Sequence, residues 1–219
     1  MLPHKFRRSN ARSLTVGGVA YLLEELGLTY ESIYFDFQKG EHKAESYTKY
    51  NPNGRIPTII DHKNNDFVLW ESNAILEYIA YTYDKDHKFV VKDPLEKYKQ
   101  LQWLFFQASG QGPYFGQAFW FATHHPEKIP SAIERYMNET KRVLGVLESV
   151  LSKQEWLVGN KYTIADLSFV PWNNAAFHAI VKDSDIAKTY PGVDKWMKKI
   201  SERPAIKKVN DERAKLLGQ

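Results

Sequence analysis

Asn51-Pro52-Asn53-Gly54-Arg55-Ile56-Pro57-Thr58-Ile59-Ile60-Asp61, followed after a short polar turn by Phe67-Val68-Leu69-Trp70-Glu71-Ser72, decides the fold of this chain. Asn-Pro and Asn-Gly mark a tight turn. A strand starts directly after Ile56-Pro57. Proline suits that place, because it has no N–H for a ladder and belongs at strand starts and edges. A cis bond at Ile56-Pro57 turns the Ile56 backbone outward and leaves it unpaired, an edge against which an extended peptide can pair. The second strand ends at Glu71-Ser72, where the apolar spacing turns helical through Ile75, Leu76 and Ile79. Ser72 is expected as the N-cap, with its N–H at the positive end of that helix. Unpaired backbone, carboxylate, hydroxyl and helix end together suit a small zwitterionic peptide.

Toward the N-terminus, Val19, Leu22, Leu23 and Leu26 recur at helical spacing and Gly27 supplies a C-cap. Residues 30–37 alternate around Ile33 and Phe35 as a strand, and a short helix is expected near 44–49. Strands near 58–60 and 67–70 and a helix over 73–83 complete a small α/β unit. Residues 1–13 have little apolar content and no alternation, so they read as a tail rather than a strand.

Residues 84–94 are polar and read as a linker. Beyond them only helical patterns occur: 95–108, 114–123, 133–151, a helix opened by Thr163-Ile164-Ala165-Asp166, and one marked by Val193, Trp196, Met197 and Ile200. Ser109-Gly110-Gln111-Gly112-Pro113 is expected to break or kink its helix. Thr163 to Asp166 is a capping box with Tyr162 and Leu167 in the staple positions, so Asp166 reads as a fold-stabilising cap.

The 219 residues are 43% hydrophobic, enough for two modest domains with real cores. The net charge of +4 is matched by Lys5, Arg7, Arg8 and Arg12 alone, which argues against a nucleic-acid partner. There is no cysteine, which removes disulfides, thiolate metal sites and a cysteine nucleophile, and fits a reducing, cytoplasmic setting. No apolar run is long enough for a membrane helix, and no metal site is expected.

The Asn51–Pro57 turn, the Glu71-Ser72 pair and the run Trp156-Leu-Val-Gly-Asn-Lys-Tyr-Thr-Ile-Ala-Asp166 resemble cytosolic glutathione transferases. Residues 103–107 (WLFFQ) and 169–174 (FVPWNN) resemble most closely the fungal branch related to the yeast nitrogen-catabolite regulator. The resemblance implies a thioredoxin-like glutathione-binding domain over 1–84, its first strand weakly supported, and an all-helical domain over 94–219. It also implies glutathione as co-substrate, conjugated to a small hydrophobic electrophile or used to reduce a peroxide, in a detoxifying homodimer. Glu71 would take the γ-glutamyl ammonium, Ser72 the γ-glutamyl carboxylate, Ile56 the cysteinyl backbone, and Arg55 and His42 the glycyl end. Thr15 stands where the branch presents an Asn to the sulfur, with Ser13 and Ser9 as further candidates. Phe105, Tyr114 and Phe119 belong to an aromatic cluster from which an electrophile pocket would be drawn. The alternative is a non-catalytic ligand-binding or regulatory protein on the same fold.

Overall fold

The computed structural model describes residues 6–11, 17–181 and 185–217. Contacts divide the chain into two compact units, Met1–Asp86 with Arg203–Gln219, and His87–Glu202. The expectation assigned everything from residue 94 onward to the helical domain, whereas by contacts the final helix groups with the first unit.

In the first unit the elements are β1 (Phe6–Ala11), α1 (Gly17–Glu25), β2 (Tyr30–Phe35), a 3-10 turn (Glu41–Lys43), α2 (Glu45–Thr48), β3 (Thr58–Asp61), a second 3-10 turn (His62–Asn64), β4 (Phe67–Trp70) and α3 (Ser72–Tyr83). The sheet order is β2-β1-β3-β4. β1 runs parallel to β2 from Phe6↔Tyr30 to Ala11↔Phe35, and antiparallel to β3 through Phe6↔Asp61, Arg7↔Ile60 and Arg8↔Ile59. This corrects the reading of residues 1–13 as a tail: Phe6–Ala11 form a central strand of a thioredoxin-like sheet. Pairing on both edges, a non-local effect, overrides a local pattern without alternation.

α1 forms because Val19, Leu22 and Leu23 make one buried face, packed with α3. It stops in a Schellman arrangement: Gly27 has φ 63, its N–H bonds Glu24 O at 3.0 Å, and Leu28 N–H bonds Leu23 O at 2.9 Å. Ile59 of β3 and Ile75, Leu76 and Ile79 of α3 complete the core. At the far end of β3, buried Asp61 accepts hydrogen bonds from the Tyr78 and Tyr83 hydroxyls at 2.6 and 2.5 Å and from Asn64 at 2.8 Å, tying the hairpin to α3. Burial pushes this carboxyl up, but these donors and the Lys63 N–H outweigh it and hold it below the usual value.

The second unit is helical: α4 (Pro94–Phe106), α5 (Gly112–Thr123), α6 (Pro130–Leu151), α7 (Ile164–Ala179), α8 (Ile186–Thr189) and α9 (Pro191–Ser201). α10 (Pro204–Leu217) returns to the first unit and packs on α1. The expected break at 109–113 is instead a π-helical turn, Gln107–Gln111, running straight into α5. Pro113 lies in the first turn of α5, directly after the π-helical turn. Gln111 is buried and donates to Asn173 Oδ1 at 2.8 Å, which anchors the turn to α7.

The core of this unit joins Val143, Leu144 and Leu147 of α6, Leu167, Phe169 and Val170 of α7, and Val193 and Ile200 of α9. The capping box at the head of α7 is present. Asp166 is fully buried and accepts from Leu157 N–H, Thr163 N–H and Trp196 Nε1–H at 2.9, 2.9 and 3.0 Å, and from the Thr163 hydroxyl at 3.1 Å. Among the described residues no helix is long and apolar enough to cross a membrane.

Candidate functional site

The Asn51 turn is braced from beneath. Asn51 is buried, its amide donates to Arg55 O at 2.6 Å and Thr58 Oγ1 at 3.1 Å, and its Oδ1 accepts from Asn53 N–H at 3.0 Å. Tyr47 of α2 donates to the same Arg55 carbonyl at 2.6 Å. Two donors therefore fix the peptide just before Ile56. The Ile56-Pro57 bond is cis, the condition on which the outward-turned Ile56 backbone depended. Ile56 lies outside every ladder, and its N–H and C=O take no hydrogen-bond partner among the described residues. Tyr47 is the support that the sequence did not single out; Asn51 was read there only as the start of the Asx-Pro turn.

Hairpin register brings the predicted residues together. Thr58 pairs with Trp70, so Pro57 and Ile56 leave one end of the β3–β4 pair where Glu71 and Ser72 leave the other strand. β1 is antiparallel to β3 and ends at Ala11 toward that same edge of the sheet.

Glu71 corrects one expectation: it, and not Ser72, is the N-cap of α3. Its backbone sits at φ 71, ψ 113, and its carbonyl accepts Ile75 N–H at 2.9 Å as the first helical bond. A positive φ in a non-glycine residue costs roughly 1–3 kcal/mol and persists where the surroundings impose it, often at a ligand site. The conformation leaves the carboxylate exposed and making no cap bond. Ser72 is the first residue of α3, so its N–H is among the unpaired donors at the positive helix end.

His42, in the first 3-10 turn, has its ring 4.3 Å from that of Phe37 and its Nδ1 buried without a hydrogen-bond partner. Burial, and then the nearby Lys43 charge, pull its pKa below the ordinary value, so the ring is neutral at neutral pH. This segment is pressed against the Asn51 turn at Gly54: a Cβ there would fall 3.0 Å from His42 O and 2.9 Å from Lys43 Cδ. Lys43 Nζ also donates to Asn53 O at 3.1 Å. Arg55 has an exposed side chain beside Ile56. His42, Arg55, Ile56, Glu71 and Ser72 thus gather around one edge of the first unit. Thr15 and Ser13 lie outside the described residues.

The aromatic candidates belong to the second unit. Phe105 lies in the last turn of α4 and is 65% exposed. Tyr114 packs toward Tyr136 of α6 with ring centroids 6.5 Å apart, whereas Phe119 packs against His124 at 5.0 Å. Five residues apart on α5, they diverge by about 140° and do not share a helix face. Among the described residues no cluster able to hold a metal ion occurs.

Two family models match the chain: the glutathione S-transferase N-terminal domain over residues 10–81 and the C-terminal domain over 113–204. Glutathione S-transferase 2 of Schizosaccharomyces pombe is 50% identical over 208 residues, covering 90% of each chain. The crystal structure of the transferase URE2P6 of Phanerochaete chrysosporium, in complex with oxidized glutathione, is 60% identical with a TM-score of 0.94 over 97% of each chain. Ure2p5 of the same fungus, cocrystallized with 1-(S-glutathionyl)-2,4-dinitrobenzene, is 48% identical with a TM-score of 0.92, covering 100% of this chain and 99% of the other. With close relatives along nearly its whole length and both domain models matched, this chain belongs to the glutathione S-transferase family.

Proposed function

We infer that this chain is a glutathione transferase that joins the thiol sulfur of glutathione to small electrophiles. The carrying observation is the unpaired Ile56 backbone beside Glu71 and Ser72 at one sheet edge, in a chain whose relatives crystallize with glutathione or its conjugate. The Ile56 amide and carbonyl pair with the cysteinyl unit. The Glu71 carboxylate takes the γ-glutamyl ammonium, and the Ser72 hydroxyl and N–H take its carboxylate at the start of α3. His42, neutral, and Arg55, charged, serve the glycyl carboxylate. The thiol then faces the start of α1, whose partial positive charge favours the thiolate, with Thr15 as the hydroxyl donor. Sulfur attacks the electrophile, the leaving group departs with the bonding pair, and the thiol proton passes to solvent. Reduction of a peroxide by two glutathione molecules uses the same site. Tyr114 and Phe119 face apart and Phe105 falls on the exposed stripe of α4, so these three residues do not make one electrophile pocket.

A homodimer is part of this reading. Leu95, Tyr98 and Phe105 follow one face of α4 and are 73%, 70% and 65% exposed, an apolar stripe that a second copy would cover. The proposed setting is the cytoplasm and the proposed role detoxification.

Isothermal titration with glutathione tests the site. Glu71→Ala and Ser72→Ala are each expected to weaken binding about tenfold or more. Unchanged affinity in both would overturn the assignment. Tight binding without conjugation of an aryl halide would favour a ligand-binding protein over an enzyme.

A further inference from the structure

The first turn of α1 opens with Gly17-Gly18, the residue type with the poorest helix propensity after proline. On the proposed reading this is the turn that faces the glutathione sulfur, so its order matters for catalysis. Tyr21 supplies that order. Aromatic side chains on a helix lean back over the preceding turn, and the Tyr21 ring does so. Its Cε2, Cζ and hydroxyl oxygen lie 2.9 Å from where a Cβ on Gly17 would stand. The ring therefore fills the space that a side chain at 17 would otherwise take.

Tyr21 is 1% exposed, and its hydroxyl donates to Asn210 Oδ1 at 2.6 Å. Asn210 belongs to α10, separated from Tyr21 by 189 positions. Two ion pairs, one from Arg203 just before α10 and one from Lys208 within it, hold the other end of α1. Arg203 bonds Glu25 through both Nε and Nη2, and Lys208 bonds Glu24 at 2.8 and 2.9 Å. These pairs hold the helices together, and the Tyr21–Asn210 bond reaches the ring packed under Gly17.

We propose that Tyr21 and Asn210 are positioning residues for the transferase reaction, through which the last helix fixes the first turn of α1 and so sets the acidity of the bound glutathione thiol. This inference rests on the functional reading above. Neither residue touches the substrate; both act through the backbone N–H groups of the Gly17 turn.

The test uses the full-length protein with glutathione and an aryl halide. The readouts are kcat, KM for glutathione, the pH profile of kcat/KM, and the ultraviolet thiolate absorbance of bound glutathione. Tyr21→Phe keeps the ring and loses the hydroxyl; Asn210→Leu removes the acceptor. Each is expected to raise the apparent pKa of the bound thiol by about 0.5 to 1 and to lower kcat near neutral pH about threefold to tenfold, with KM for glutathione within about twofold of wild type. Asn210→Asp, which keeps an oxygen for Tyr21, should restore most of both. Lys208→Met, which removes one ion pair of the same helix pair, should leave the thiol pKa unchanged. A Tyr21→Phe protein with an unaltered thiol pKa, whatever its melting temperature, would overturn the proposal while leaving the glutathione site intact. Wild-type protein that fails to bind glutathione would overturn the functional reading and this inference with it.

Discussion

Removing the Asp166 carboxylate tests the helical unit at its most committed point. Asp166→Ala leaves Leu157 N–H, Thr163 N–H and Trp196 Nε1–H buried without an acceptor. At roughly 1–3 kcal/mol for each unmet donor, and with water able to fill part of the space, the expected loss is about 3–6 kcal/mol. That is a large share of the typical 5–15 kcal/mol of a folded domain. Asp166→Asn keeps the shape but turns an NH2 toward one pair of donors, so about 2–4 kcal/mol should still be lost. The pH dependence gives a second handle. Burial, only partly offset by the four hydrogen bonds, raises this carboxyl from 3.8 to about 6. A folded pKa above the unfolded one means that the contribution is fully present below pH 3.8 and lost as pH rises through about 6. The rise corresponds to about 3 kcal/mol. Urea unfolding followed by tryptophan fluorescence, at fixed protein concentration from pH 3.5 to 7, should show that slope in the wild type relative to Asp166→Asn. A loss below about 1 kcal/mol in the alanine variant, or parallel pH curves for wild type and Asn, would refute the account.

Other expectations are smaller in scope. Gly54→Ala should cost about 1–2 kcal/mol and weaken glutathione binding, because φ 58 disfavours a side chain and the new Cβ meets His42 O and Lys43; thermal melts and calorimetry read both. Asp61→Asn should cost about 1–3 kcal/mol above pH 4, since Tyr78 and Tyr83 lose a charged acceptor. The native Asp61 has the opposite sign to Asp166. Its folded pKa lies below 3.8, so its contribution is present above that value and fades as pH falls through the lower one, which acid titration of both proteins would detect. Leu95→Glu with Phe105→Glu on the α4 stripe should convert a dimer to monomers in sedimentation, with the melting curve of the monomer becoming independent of concentration.

What could be read from the sequence was what local chemistry determines. Asn51 to Pro57 spells its own turn, Thr163 and Asp166 spell their own cap, and α1, α6 and α9 carry apolar spacing that needs no distant partner. The candidate residues at 56, 71 and 72 come together because hairpin register carries a local signature to one end of the sheet. The parts that were not legible depend on distant partners. Phe6–Ala11 is a strand because β2 and β3 flank it, with six parallel and three antiparallel pairs. The 107–111 turn stays continuous because Gln111 finds Asn173, 62 positions away. α10 joins the first unit through Glu25 and Arg203, 178 positions apart, a pairing invisible in any window of sequence. Ser72 missed its expected capping place by one residue, since a carboxylate at positive φ is not a usual N-cap.

On the proposed reading Ile56 would offer glutathione its main chain and not its side chain, which bears on how such a contact is found. Replacing Ile56 by alanine, valine or leucine keeps the same amide and the same carbonyl, so a scan of side chains would report the position as silent. On that reading, drift of the residue type there would carry no penalty in recognition. Only a change to the chain itself, such as an ester in place of the Ile56 amide, would expose a contact that mutagenesis by the genetic code passes over.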